Sequence, residues 1–302
     1  MAKTYPSIYF SYYNAIVKKN MDVNLNVDAK LEKPLLRLIE ISANAIGTVY
    51  QDTFGVKAEV RRRQLLAEVD NAIKLSNKET ENELLLCSQH RILLQEAKRQ
   101  LNIENVVRGA VEHLPEHVGD RKPTEDWAST FFNIAQDIYE DEMQVIWSKI
   151  LAGEVAKPGT YSKRTLESLK NLSQQEAQTF VRLMSFTFGH YVIFKLGNDT
   201  STLNRFNFTF ADWKTVHEAG LVSISEDVRM TISTPTKNFI CGNKSIMFHS
   251  EKNEEIVLQI KQLTGVGTEL SYLVEMKPNT QYLEALGQHY GMNGIKFIIS
   301  DF

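Results

Sequence analysis

Cysteine is nearly absent. Cys87 and Cys241 are the only two, far apart in the chain, which excludes a disulfide framework and every multi-cysteine zinc pattern and points to a reducing, cytoplasmic setting. Long apolar runs are missing too: the most apolar stretch, Leu35 to Val49, is interrupted by Arg37 and Glu40 and is shorter than the roughly 20 residues a spanning helix needs. No transmembrane segment is expected. Charge of one sign is not in excess, with 34 Lys and Arg against 37 Asp and Glu. The balance holds in each part, 20 against 23 in residues 1–160 and 14 against 14 in residues 161–302. Neither part is a basic module, so nucleic-acid binding would have to rest on local clustering. The phosphate-cradling motifs GxGxxG and GxxxxGK followed by Ser or Thr do not occur, nor does the nucleophile motif GxSxG. The short GVGTE at Gly265–Glu269 reads as a turn entering a helix. No cofactor is implied.

What the chain does hold is an ordinary globular composition, 43% hydrophobic and 24% charged over 302 residues, a length at which one core usually splits in two. Apolar residues recur at helical spacing through Leu31, Leu35, Leu38, Ile39 and Ile46, then through Leu65, Leu66, Val69 and Ile73. A third helical segment runs from Ser76 to Leu114, as one helix or as two with a bend near Asn102. Thr124 is suited to cap a helix carrying Trp127 and Phe131. The next helix carries Trp147 and Leu151 and is expected to end at Gly153, before a turn at Pro158 and Gly159. Ser162 caps SKRTLESLKNL, and Ser173 with Glu176 forms a capping box ahead of Ala177, Phe180, Val181 and Met184. Past His190 the period shortens. HYVIFKL, RFNFTF, LVSI, RMTIS, FICG, SIMFH, IVLQI and IKFII read as strands, interrupted by helices at ADWKTVHEAG, GVGTELSYLV and NTQYLEALGQHY. The fold class is therefore α+β, an N-terminal long-helix bundle followed by a mixed domain. FADWKTVHEAGLVSIS and the strands after it have the rhythm of a winged helix. The expected boundaries are 1–30 for an N-terminal extension, partly disordered, 31–172 for the helical domain and 173–302 for the winged-helix-like domain. Met21 is a candidate native start.

Few motifs carry chemistry. His113, Glu116 and His117 spell HxxEH, the inverted zinc-protease pattern, but Pro115 lies inside it and Gly119 follows closely, so the helix that would hold both imidazoles on one face has ended. Arg61, Arg62 and Arg63 are the densest basic run and the weak candidates for an anion or nucleic acid. On a helix they point in three directions and are flanked by Glu59, Glu68 and Asp70, as on a solvated face. No catalytic and no metal-binding residue is assigned.

The block from Asp126 to Phe180 carries a resemblance. Trp147, Leu151, Ala152, Gly153, Glu154, Pro158, Gly159, Ser162, Arg164, Thr165, Leu166, Leu169 and Ser173 fall in a series similar to that of a bacterial domain-of-unknown-function family. KPLLRLIEISANAIGTVYQ, RQLNIENVV, EAGLV and LTGVGTEL look like it as well. In layout the chain is also similar to the Abi-alpha proteins associated with phage abortive infection. The resemblance implies a bacterial protein with a role in phage defence or a mobile element, and no reaction.

Trp147, Leu151, Gly153, Pro158, Gly159 and Ser162 therefore read as a structural elbow joining two domains. The leading expectation is a non-enzymatic interaction or regulatory protein, a homo-oligomer through its amphipathic helices, with a host or phage protein as further partner. One alternative is a nucleic-acid-binding regulator. Another is a membrane-active effector using the amphipathic stretch Leu31 to Val49, with Ser42, Ala43, Ala45 and Gly47 on it.

Overall fold

The computed structural model describes residues 32–46, 58–76, 83–196, 203–223, 228–234, 236–250, 252 and 254–301. The expected extension 1–30 and the alternative start at Met21 lie outside them. The chain divides into two compact units, 1–161 and 162–302. The division falls upstream of the expected boundary at Leu172, because the helix that Ser162 caps belongs with the second unit: the Ser162 N–H donates to Glu269 Oε2 at 2.6 Å.

Unit 1 is helical. Helices α1 (Glu32–Ile46), α2 (Ala58–Ser76), α3 (Glu83–Val111), α4 (Glu125–Ala135) and α5 (Asp141–Ala156) follow the predicted apolar periods. α3 is one continuous helix through Asn102. Thr124 caps α4 by accepting from the Trp127 N–H at 3.2 Å. The core of the unit is Phe131, Trp147, Ile150, Leu151, Val106 and Val107, each inaccessible to solvent. Trp127 stacks on Phe131, and Trp147 tilts against the same ring at 5.3 Å. α5 crosses α3 closely: Ser148 Oγ donates to Val106 O at 2.9 Å, and a side chain at Gly109 would come within 3.0 Å of Ser148 Cβ.

Gly153 does not end α5, which continues to Ala156. Its lack of a side chain serves packing instead, since a Cβ there would stand 2.9 Å from the Tyr161 ring.

Unit 2 begins with α6 (Lys163–Asn171) and α7 (Gln174–Met184), capped by Ser162 and by the Ser173–Glu176 box. The buried face of α7 is Thr179, Phe180, Leu183 and Met184, whereas Val181 is half exposed. One antiparallel sheet has strand order β1-β5-β2, from β1 (Val192–Phe194), β2 (Val228–Ile232) and β5 (Ile256–Gln262). The other has order β3-β4-β6, from β3 (Thr236–Cys241), β4 (Lys244–Ser250) and β6 (Ile295–Asp301). Helices α8 (Phe210–Glu218), α9 (Gly265–Ser271) and α10 (Thr280–Gly291) complete the unit. The fold is thus α+β, a helical N-terminal region followed by a sheet-containing one.

RFNFTF is not a strand. Asn204–Phe206 form a 3-10 turn and Asn207 takes a left-handed conformation, which lets Phe206 and Phe208 both point into the core. LVSI contributes a single bridge, Val222 with Leu263. The β3–β4 hairpin turns on Gly242 and Asn243, with Gly242 at φ 59°, as a two-residue turn with a glycine first requires. An aromatic cluster joins the two sheets, Phe194 lying 5.2 Å from Phe239 and 4.9 Å from Phe248. Tyr282 and Tyr290 of α10 donate to the carbonyls of Phe194 and Lys195, pinning that helix to the end of β1.

Candidate functional site

Of the elbow residues, Gly153, Pro158 and Gly159 come together as a closed turn at the end of unit 1, and what closes it is Glu154. This carboxylate, carried on α5 and buried, accepts from the Gly159 N–H at 2.6 Å and the Tyr161 N–H at 3.0 Å. Gly159 sits at φ 89°, a conformation that glycine adopts freely. Lys157 N–H bonds Gly153 O, and the Trp127 indole donates to Tyr161 O at 2.6 Å. Pro158 supplies the fixed φ of the turn. Trp147 and Leu151 lie entirely in the core below it. The sequence marks Glu154 only as a member of the shared series, with no role, although a carboxylate on the buried face of an apolar helix five and seven residues before two turn amides signals such a clamp. Ser162 then opens unit 2, its Oγ accepting from the Thr165 N–H at 3.2 Å. Both carboxylate oxygens of Glu154 are engaged by the turn.

The remaining motifs are dispersed. His113, Glu116 and His117 lie beyond the end of α3, and the described residues contain no group of three or more His, Cys, Asp or Glu able to hold a metal ion. Arg61, Arg62 and Arg63 fall in α2; Arg63 is exposed, while the side chains of Arg61 and Arg62 lie outside the described residues. Cys241 is buried, and that burial pushes its thiol up to about 12 and disfavours the thiolate, whereas Cys87 is exposed on α3. The nearest approach to a nucleophile and base is a pair that the sequence, with 81 positions between them, could not reveal: His190 Nδ1 stands 3.0 Å from Ser271 Oγ. Ser271 Oγ also donates to Thr268 O at 2.7 Å, which makes the hydroxyl an acceptor toward His190 and a helix-internal bond rather than an attacking group. Ser271 is fully buried. Burial also lowers the His190 pKa, favouring its neutral form. The ring stacks on Tyr272 at 4.5 Å.

Of the stretch considered for a membrane, Leu31 and the end from Gly47 to Val49 lie outside the described residues, and the rest forms α1. Leu38, Ile41 and Ser42 are buried, and α1 packs against α3, α4 and α5. No helix among the described residues is long and apolar enough to cross a membrane.

One surface stands out by chemistry. Leu85, Ile92, Arg99, Ile103, Val106 and Ala110 recur on α3 at steps of seven, seven, four, three and four, one stripe of a helix. Its second half is covered: Ile103, Val106 and Ala110 are buried where α5 crosses. Gln144 on α5 reaches across to Asn102 Oδ1 at 3.2 Å. Arg99, bonded to Asp137 Oδ1 at 2.9 Å, marks where that cover stops. Before Arg99 the same stripe is open, with Leu85 47% and Ile92 53% exposed and neighbouring Leu84 80% exposed. α2 also packs on α3. Leu93 and Leu94, 37% and 40% exposed, follow on α3, so large aliphatic side chains are turned to water along this part of the helix.

The fold and its surfaces thus define a two-unit α+β protein whose outstanding feature is an open apolar seam on a long helix. A family model described as a protein of unknown function, DUF2806, matches residues 87–287, about two thirds of the chain, and the chain belongs to that family. The match takes in the elbow block and leaves the upstream segment from Lys33 to Gln51 outside it. No curated protein and no solved structure matches.

Proposed function

We propose that this chain is a non-enzymatic interaction or regulatory protein that associates with itself through its helical unit, in a cytoplasmic setting. The observation that carries the reading is the exposure of Leu84, Leu85 and Ile92 on α3. Burial of such side chains is worth about 1.5–3 kcal/mol each when complete, enough to drive weak association from a few of them. The resemblance in layout to abortive-infection proteins supports phage defence or a mobile element as the biological setting, with a host or phage protein as further partner. Light scattering on the full chain tests the core of the reading: a dimer or higher oligomer is expected, and Ile92→Glu should return it to monomer at an unchanged melting temperature. A monomer at every accessible concentration would overturn it. Plaque formation on cells with and without the gene tests the setting.

A second reading, a nucleic-acid-binding regulator, draws support from unit 2. Its support is the order of helix α7, strand β1, the 3-10 turn, helix α8 and the antiparallel pair β2 and β5 in a sheet ordered β1-β5-β2, an arrangement compatible with a winged helix. α8 would be its recognition helix and begins with Phe210, 76% exposed. Its charges oppose the reading: Lys214 is paired with Glu218, and Asp212 is held by Arg182. Binding to mixed duplex DNA that falls steeply with salt would establish it, and no binding at low salt would end it.

A further inference from the structure

We propose that Arg37 anchors a binding site for the carboxylate of a small organic acid, on the flank of α1 that the segment Asp120–Lys122 crosses.

The first observation is a buried charge with an orphaned donor. Among the described residues of unit 1, three charged ones are buried: Arg37, Glu104 and Glu154. Glu154 accepts from two turn amides, and Glu104 Oε1 accepts from Gln100 Nε2 at 3.0 Å. Arg37 is 6% exposed, and its Nη1 is shut off from solvent with no hydrogen-bond partner. A guanidinium cannot shed its charge by losing a proton, as a buried lysine can. An ion taken out of water is tolerated when an opposite charge and hydrogen bonds replace its hydration. Arg37 therefore calls for an acceptor that carries negative charge.

The second observation is what lies beside it. On α1, Lys33 is one turn before Arg37 and Glu40 one turn after, on the same flank, while buried Ile41 continues toward the core. Lys33 Nζ meets Asp120 Oδ1 at 3.3 Å, and Lys122 Nζ meets Glu40 Oε1 at 2.6 Å. The segment Asp120–Lys122 thus runs along α1 past Arg37 as a strap fastened at both ends. Its two ion pairs occupy the carboxylates of that flank and cancel in charge. Arg121 between them is exposed to water, and Glu125 and Asp126 in the first turn of α4 oppose any excess of positive charge beyond the strap. One positive charge remains, at Arg37. A monoanion matches it, and a carboxylate offers two oxygens at the spacing that the paired N–H groups of a guanidinium meet. The burial of Arg37 restricts the ligand to a small one. Entry runs through the strap, because the side chains of Lys33, Asp120 and Lys122 are each more than half exposed and exposed ion pairs hold a segment weakly.

Acetate and formate are the probes, added to the full chain as sodium salts at neutral pH, with sodium chloride at equal ionic strength as the reference. The melting temperature of the parent is expected to rise with either carboxylate, as binding to the native state requires, and to stay level in chloride. Arg37→Met should abolish the rise. In chloride alone this variant should be at least as stable as the parent, because an uncompensated buried charge gives way to an apolar chain; a marked loss of stability there would mean that Arg37 already has its partner inside the chain, and would overturn the proposal. Arg37→Lys should weaken acetate binding about tenfold, since an ammonium cannot form the paired bonds. Lys122→Gln should also weaken it, by releasing Glu40, one turn from Arg37, to take the guanidinium; an unchanged affinity would remove the site from this flank. A parent indifferent to both carboxylates ends the proposal, and so does an equal rise in Arg37→Met, which would show a general salt effect. A response to inorganic phosphate at lower concentration than to acetate would make the ligand a phosphate and overturn the carboxylate assignment.

Discussion

Replacing Glu154 by Gln tests whether the family block is scaffold. The carboxylate is buried and each oxygen accepts one backbone N–H, from Gly159 at 2.6 Å and from Tyr161 at 3.0 Å. An amide keeps one acceptor and turns its NH₂ toward the other donor, so one charge-assisted bond is lost and one buried N–H loses its partner. A hydrogen bond to a charged group contributes about 1.5–3 kcal/mol. The expected loss is therefore about 2 kcal/mol for Glu154→Gln. For Glu154→Ala, which removes both bonds and leaves a small cavity, it is about 3–5 kcal/mol. Urea unfolding monitored by tryptophan fluorescence in a Trp213→Phe background reads unit 1, because the remaining indoles, Trp127 and Trp147, both lie in it. The midpoint should fall while the slope stays the same. A Glu154→Gln chain within about 0.5 kcal/mol of the parent would refute the clamp, and a chain that kept its stability but lost partner binding would make Glu154 a functional residue instead.

Three further outcomes follow from the geometry. Gly242→Ala should destabilise unit 2 by about 1–3 kcal/mol, since it puts a Cβ at positive φ and 2.7 Å from Pro278 Cδ; a neutral effect on thermal unfolding would contradict the close approach. Partial burial of Asp212 works against its ionisation, but the Thr209 N–H and hydroxyl and the Arg182 guanidinium outweigh it and hold the carboxyl below its usual range. A lowered folded pKa contributes stability that is complete above about pH 4 and is lost as the pH falls below that; Asp212→Asn should flatten this part of the acid unfolding curve, and an identical slope would remove the assignment. Thiol labelling at pH 8 should modify one cysteine per native chain, Cys87, with Cys241 reacting only on unfolding; label on a native Cys87→Ser chain would show that Cys241 is reachable.

The parts of the fold that could be read from sequence are those that local chemistry decides. Thr124, Ser162 and Ser173 stop one segment and start another because the donor they satisfy lies three residues away, within the same stretch of sequence. The Gly242–Asn243 hairpin is equally local. Where a distant residue decides, sequence reading failed. Gly153 carries the usual sign of a helix end, yet the Tyr161 ring needs the space and the helix runs on. RFNFTF alternates like a strand, yet Asn207 takes the left-handed conformation and both phenylalanines are buried from a turn. The seam of α3 belongs to the same class. Periodicity reveals that Leu85 and Ile92 share a face with Ile103 and Val106, but a sequence cannot say that α5 covers the one pair and leaves the other open. An interaction surface of this kind is a difference between an apolar pattern and its cover. The pattern is written along one helix, and the cover is supplied from some 50 residues away, so the surface becomes visible only when both are in place.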